Sequence, residues 1–193
     1  MNVGILAVQG AFSEQEKAFR AAGAETFEIR QATDLDRTID ALVLPGGEST
    51  VQGKLLRQTG LFDPLAKKIK EGLPVFATCA GLILLAERIV DDPTVWFGLL
   101  PVAVRRNAYG RQLGSFSTRG KVGNDEDVPM TFIRAPAIEF VEEGVSVLST
   151  FDGKPTGVRF GNITAYCWHP ELTDDLRTFR TFLEEARRVS SRT

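Results

Sequence analysis

Pro74-Val75-Phe76-Ala77-Thr78-Cys79-Ala80-Gly81-Leu82 decides how the rest of the chain is read. An apolar run at residues 74–77 leads into a cysteine flanked by very small residues, and an apolar helical pattern follows. A side chain displayed at a sharp strand-to-helix turn needs small neighbours two positions away on either side, here Ala77 and Gly81, because larger ones would clash with the turning backbone. Cys79 then stands at a helix N-terminus, where free N–H groups and the positive end of the dipole favour thiolate over thiol. The competing reading of Cys79 is a small buried hydrophobe.

Upstream, residues 3–8 form a short apolar run ending at Gln9-Gly10. Ser13 follows as a candidate N-cap, with a helical pattern through Phe19 and Ala22 to Gly23. Phe27 and Ile29 mark a second strand, and the continuous run Ala41-Leu42-Val43-Leu44 suits a parallel strand buried on both faces. Asp63-Pro64 reads as an N-cap with proline at the first helical position, Leu65 and Ile69 lie four apart, and Gly72 is placed to end that helix. Lys67, Lys68 and Lys70 form its solvated side.

Downstream, Asp91-Asp92-Pro93 makes a loop. Short β-like runs surround Val102, Phe116, Phe132, Val147, Val158 and Ile163, hairpins among them. Asn124-Asp125-Glu126-Asp127 reads as an exposed acidic turn without function. Leu176, Phe179, Phe182, Leu183 and Ala186 define a final amphipathic helix, with Asp174 and Asp175 at its start and Arg187-Arg188 at its end, the order that the helix dipole favours. The expected fold is α/β: a three-layer sandwich around a central mixed, mainly parallel sheet, with the mixed strands in its second half.

With 193 residues, 43% of them hydrophobic and 25% charged, the chain can bury a core of its own, so a single domain spanning 1–193 is expected. A net charge of −2 and scattered basic residues lack the electrostatic footprint of a nucleic-acid binder. No stretch approaches the ~18 apolar residues of a membrane span, and no basic region precedes the first apolar run. Two cysteines, Cys79 and Cys167, are too few for a disulfide framework and form no C-x-x-C pair. These features together predict a cytoplasmic protein with neither nucleic acid nor membrane as partner.

A cysteine nucleophile needs a base, and the chain holds one histidine, in Ala165-Tyr166-Cys167-Trp168-His169-Pro170-Glu171. His169 would take the thiol proton and later return one to the leaving amine. Glu171 is the nearest carboxylate to orient the ring; if the chain stays extended through Pro170, both side chains project to one side. Taken alone, a single histidine is more often a surface or satisfied residue, and it is the cysteine elbow that turns the reading toward catalysis. Cys167 reads as core, because it lacks the elbow and helix N-terminus that would activate it. An oxyanion needs donors. One is the N–H of Ala80, and a second should come from Pro45-Gly46-Gly47-Glu48-Ser49-Thr50, at Gly47, where glycine lets backbone approach a substrate. The competing reading of that loop is an ordinary turn before a helix capped by Ser49. Lys54 follows, but the G-x-x-x-x-G-K-[ST] spacing of a phosphate-binding loop is absent.

Six blocks in order resemble the triad-type, class I glutamine amidotransferases, and within them the glutaminase subunits of pyridoxal 5′-phosphate synthase. They are Ala7-Val8-Gln9-Gly10-Ala11, Leu44-Pro45-Gly46-Gly47-Glu48-Ser49-Thr50, Thr78-Cys79-Ala80-Gly81-Leu82, Arg106-Asn107-Ala108-Tyr109-Gly110-Arg111-Gln112, Phe132-Ile133-Arg134-Ala135-Pro136 and His169-Pro170-Glu171-Leu172-Thr173. The resemblance implies a Cys79–His169–Glu171 triad, with Gly47, Glu48, Ser49, Arg106, Ile133 and Arg134 contacting L-glutamine. An amino-acid substrate offers an ammonium to Glu48 and a carboxylate to a guanidinium; without the resemblance, Arg106 and Arg134 would read as surface charges.

The implied activity is hydrolysis of L-glutamine to L-glutamate and ammonia through a cysteine thioester, without cofactor or metal. The ammonia would pass to the lyase subunit of a hetero-oligomeric pyridoxal 5′-phosphate synthase, and the chain alone would be a poor glutaminase until that partner switches it on. The alternatives are a catalytically silent binding subunit of the same complex and another Cys-His hydrolase on the same fold. Intact Cys79, His169 and Glu171 argue against the first; the Gly-Gly-Glu-Ser-Thr and Phe-Ile-Arg-Ala-Pro blocks argue against the second. Two departures stand out: Ala77 where the family usually has glycine, and Glu14-Gln15 where it commonly has Glu-His. The second predicts that Gln15 weakens docking of this helix to the partner without touching the chemistry.

Overall fold

The computed structural model describes residues 1–108 and 114–190, and its first half alternates strand and helix. The elements are β1 (Asn2–Leu6), α1 (Phe12–Ala21), β2 (Glu25–Ile29), β3 (Ala41–Leu44), α2 (Ser49–Gln58), α3 (Phe62–Lys70), β4 (Val75–Thr78) and α4 (Ala80–Leu85). The second half is mostly strand: β5 (Ala86–Ile89), β6 (Leu100–Arg105), β7 (Ser115–Val122), β8 (Asp125–Ile133), β9 (Ala137–Val141), β10 (Ser146–Phe151), β11 (Lys154–Phe160) and β12 (Ile163–Tyr166), closed by α5 (Arg177–Ser190). Among the described residues no helix is long and apolar enough to cross a membrane.

Nine strands form one sheet in the order β2-β1-β3-β4-β12-β11-β10-β7-β8. The first five are mutually parallel, and β11, β10, β7 and β8 extend them by antiparallel pairing. Strands β3, β4 and β12 are buried at every position, which is why their sequences run apolar without alternating. Register pairs Tyr166 of β12 with Thr78 of β4. The residues that follow these strands therefore leave the sheet at the same carboxyl edge, where sites gather in open α/β folds.

Helices α1 and α5 cover one face. There Phe19, Phe179 and Phe182 surround Phe76 of β4, with ring centroids 5.3, 5.4 and 5.2 Å away. Helices α2, α3 and α4 form the layer on the other side, with α4 against β3, β4 and β12. Gly23 and Gly72 take positive φ just past α1 and α3, ending both as expected.

A separate three-stranded sheet, β5-β6-β9, departs from the sequence reading. The helical pattern after Cys79 stops at Leu85, because Phe97 and Leu99 donate their N–H groups to the Leu84 and Leu85 carbonyls and the chain pairs with β6 from Ala86. Two helix starts also differ. Helix α1 begins at Phe12 with Ala11, not Ser13, at its N-cap, and α3 begins at Phe62, so Asp63 lies inside its first turn. The acidic segment is no free loop: only Gly123 and Asn124 turn between β7 and β8, Asp127 pairs with Arg119, and Arg177 of α5 donates to the carbonyls of Glu126 and Asp127.

Candidate active site

Cys79 occupies the N-cap of α4 with φ 48° and ψ −100°, a positive-φ conformation that side chains rarely adopt. Its N–H remains tied to the sheet through the Tyr166 carbonyl at 2.8 Å, while its carbonyl already accepts from Ile83 of the helix. The strand therefore becomes helix at this one residue. A Cβ on Gly81 would overlap the Leu44 carbonyl oxygen, so the small neighbour that the elbow needs is enforced by β3. Ala80 opens α4, where the first N–H groups have no intrahelical acceptor.

His169 is carried past the end of β12 and held by its N–H to the Thr131 carbonyl at 2.8 Å. The chain then does not stay extended. Pro170–Leu172 form a 3-10 turn with His169 as its N-cap, and that turn, not strand alternation, brings Glu171 Oε1 to 2.7 Å from His169 Nδ1. The Glu171 side chain is fully buried. Burial of the imidazole opposes its charged form, but hydrogen bonding to the Cys79 sulfur and to Glu171, with the negative charge of both, outweighs this and pushes its pKa up to about 10. The arrangement favours an imidazolium between Cys79 and Glu171. Cys167 is fully buried, and that burial, with the nearby Cys79, holds it as a neutral thiol.

A pocket of about 480 Å³ opens on this edge, with Cys79 and His169 in its wall. Gly46, Gly47, Glu48 and Ser49 line it too, as do Arg106, Ile133 and Arg134. The Gly46 carbonyl accepts the Ala11 N–H at 2.9 Å, and a side chain on Gly10, itself at φ 105°, would collide with that carbonyl. Gln9 Oε1 accepts the Glu48 N–H at 2.8 Å. Gln52 Nε2 donates to the carbonyls of Gln9 and Pro45. Glu48, rather than Ser49, caps α2 by accepting from the Thr50 N–H, which leaves the Ser49 hydroxyl buried, without a partner among the described residues, and in the pocket wall. Such a hydroxyl is available to a ligand.

Residues 5–188 match the model of the SNO glutamine amidotransferase family. The chain belongs to that family. It is 54% identical over 184 residues to the pyridoxal 5′-phosphate synthase subunit PdxT of Desulfitobacterium hafniense (strain Y51), covering 95% of this chain and 92% of that one. To the subunit of the same name from Bifidobacterium longum (strain NCC 2705) it is 51% identical over 186 residues, covering 93% and 98%. A crystal structure of a glutamine amidotransferase superposes with TM-score 0.91 at 44% identity, covering 96% of this chain and 98% of the other. PurLQS from Thermotoga maritima, 16% identical with TM-score 0.68 over 96% of each chain, shares the fold.

Of the residues expected from the amidotransferase resemblance, Gly47, Glu48, Ser49, Cys79, Arg106, Ile133, Arg134 and His169 all line the pocket. Glu171 bonds His169 Nδ1, and Ala80, next after Cys79, is buried at the start of α4. Arg106 is no free surface charge: Nη1 donates to Thr50 Oγ1 at 3.1 Å and Nη2 lies 3.2 Å from Asp92 Oδ2. Tyr109, Gly110, Arg111 and Gln112 of the Arg106 block lie outside the described residues. Gln15 contradicts the sequence reading. It is fully buried with Nε2 on Thr78 Oγ1, so it has no surface to offer a partner. Sequence reasoning missed Gln52 and Thr78 as supports of the loop. The signal for Gln52 was a polar side chain one helical turn before the buried Leu56, on the apolar phase of α2.

Proposed function

We propose that this chain, as a single amidotransferase domain spanning 1–193, is the cytoplasmic glutaminase subunit of a pyridoxal 5′-phosphate synthase. The observation that carries the reading is the gathering of Cys79, His169 and the loop of Gly46-Gly47 around one pocket, with Glu171 seated on the imidazole. In this reading Glu48 receives the α-ammonium of L-glutamine, Arg106 and Arg134 its carboxylate, and Ser49 and the backbone at Ile133 its remaining polar groups.

The Cys79 thiolate adds to the γ-amide carbon, and the oxyanion is met by the N–H groups of Ala80 and Gly47. His169, charged and held by Glu171, gives its proton to the amide nitrogen as the C–N bond breaks, so ammonia leaves and a γ-glutamyl thioester remains. The neutral imidazole then takes a proton from water, whose oxygen attacks the thioester; glutamate departs and the thiolate returns. The ammonia passes to the lyase subunit of the synthase.

That partner also completes the site in this reading. The Gly46 carbonyl points to Ala11 at the start of α1, and in a trans peptide the Gly47 N–H points the opposite way. A subunit seated on the Gln9-Gly10 edge would secure the Ala11–Gly46 bond and with it this orientation of the peptide, and loss of one oxyanion donor lowers turnover by about 10²–10³. The test is glutamate release at saturating glutamine, with purified synthase subunit titrated in. A low rate alone that rises with the partner is expected. No release in any mixture would remove the glutaminase assignment, whereas a high rate indifferent to the partner would remove only the switching.

A further inference from the structure

Thr78 is the last residue of β4, directly before Cys79, and it is fully buried. Its Oγ1 accepts the Gly46 N–H at 3.0 Å and the Nε2 of Gln15 at 3.1 Å. One hydroxyl thereby joins the strand of the nucleophile, the loop of the oxyanion donor and helix α1. Gly46 fills the space beside the imidazole so closely that a Cβ on it would lie 3.0 Å from His169 Nδ1. Where Thr78 holds Gly46, it sets both the start of the Gly46–Gly47 peptide and the room left to the ring.

Gln15 is fully buried, and its Oε1 has no partner among the described residues. Leaving such an oxygen unpaired in a core lowers stability, and a leucine on the same face of α1 as Phe19 would avoid that penalty. The Gln15 amide thus reaches Thr78 at a cost to folding that an apolar side chain would not carry. With the amide turned by 180°, the Thr78 hydroxyl proton goes to Oε1 and the bonds run Gly46 N–H to Thr78 O–H to Gln15. In either orientation Thr78 Oγ1 accepts from Gly46.

We propose that Gln15 and Thr78 are positioning residues for amide hydrolysis, fixing the Gly46 N–H so that the oxyanion loop keeps its place beside Cys79, while His169 is held by its own bonds to Thr131 and Glu171. The inference rests on the glutaminase reading and deepens it. Neither side chain lines the pocket, so both act through Gly46 and not on the substrate.

The experiment measures kcat and KM for glutamine in the presence of the synthase subunit, and the rate at which iodoacetamide alkylates Cys79. It compares wild type, Thr78→Val, Thr78→Ser, Gln15→Leu and the Gln15→Leu/Thr78→Val pair. Thr78→Val should lower kcat about tenfold or more with KM within about threefold, since a small misplacement of catalytic groups acts on the transition state. Its alkylation should stay within about twofold of wild type, because the thiolate keeps its helix terminus and its imidazolium. Thr78→Ser should recover most of the rate, Gln15→Leu should lose about threefold, and the pair should be no slower than Thr78→Val alone, as expected of residues acting in series. Wild-type kcat in Thr78→Val, an equal slowing of alkylation, or full additivity in the pair would overturn the proposal. Should Thr78→Val fail to fold, as judged by its thermal transition, Gln15→Leu decides, and an unchanged kcat there overturns it. A wild-type complex without glutaminase activity breaks the functional reading instead, so the two failures are told apart.

Discussion

Replacing Gly46 by alanine tests how tightly the site is built. The added methyl carbon would lie 3.0 Å from His169 Nδ1 and would overlap Cε1. Carbon contacts settle at about 3.5–4.0 Å, so the ring or the loop must yield by roughly 1 Å. Neither side is free to do so. The imidazole is buried against Glu171, and Gly46 is fixed by its N–H to Thr78 and its carbonyl to Ala11. A displacement of about 1 Å among reacting groups lowers turnover on the order of 10²-fold. Overfilling a close-packed interior destabilises by about 1–3 kcal/mol. At about 2–4 °C per kcal/mol for a domain of this size, the melting temperature should fall measurably. Glutamate release by the complex with the synthase subunit gives kcat, and differential scanning calorimetry gives the melting temperature. A Gly46→Ala chain with wild-type kcat and an unchanged transition would refute the reasoning.

The raised pKa of His169 predicts that its imidazole stays charged well above the ordinary 6.5 and titrates toward about 10, which ¹⁵N NMR of the ring nitrogens would follow; a midpoint at or below 6.5 would contradict it. Because the folded value lies above the unfolded one, the stability this group contributes is complete below pH 6.5 and is lost as pH rises toward about 10, readable in denaturant midpoints. Cys79→Ala and His169→Asn should abolish glutamine hydrolysis while leaving the fold, whereas Glu171→Gln should retain more activity and lower the His169 midpoint. Full activity in Glu171→Gln would withdraw that residue from the site. Cys167→Val should keep most activity, since its thiol is held neutral in the core, and an inactive but folded variant would count against this.

Much of this arrangement was legible because the chemistry depends on local spacing. An apolar run ending in Ala77-Thr78-Cys79-Ala80-Gly81 states the turn that Cys79 occupies, and the continuous strands at residues 41–44 and 75–78 state their burial. What stayed hidden depends on partners distant in sequence. The run from Ala80 to Ile89 is apolar enough to be helix or strand, and only the carbonyls taken up by Phe97 and Leu99 end α4 and release β5. Ser13 and Asp63 look like caps, yet Ala11 is fixed by the Gly46 carbonyl, and Leu61 donates to Leu56 at the end of α2. For Gln15, a comparison of motifs pointed outward to a partner, while its place on the apolar phase beside Phe19 pointed inward. The phase was the better guide, because burial follows helix geometry.

The position of β12 in the sheet bears on how the protein is made. β4 is flanked on one side by β3, already synthesised, and on the other by β12, the last strand among the described residues. Ninety positions separate Cys79 from His169. At ribosomal rates of about 5–20 residues per second, β4 therefore waits for several seconds as an open edge, the kind of edge that invites misassembly. During that interval the cysteine lacks both its imidazolium and the carboxylate behind it. A nascent chain that stops short of β12 thus carries Cys79 without imidazole or carboxylate, and the site is assembled only once β12 has docked beside β4.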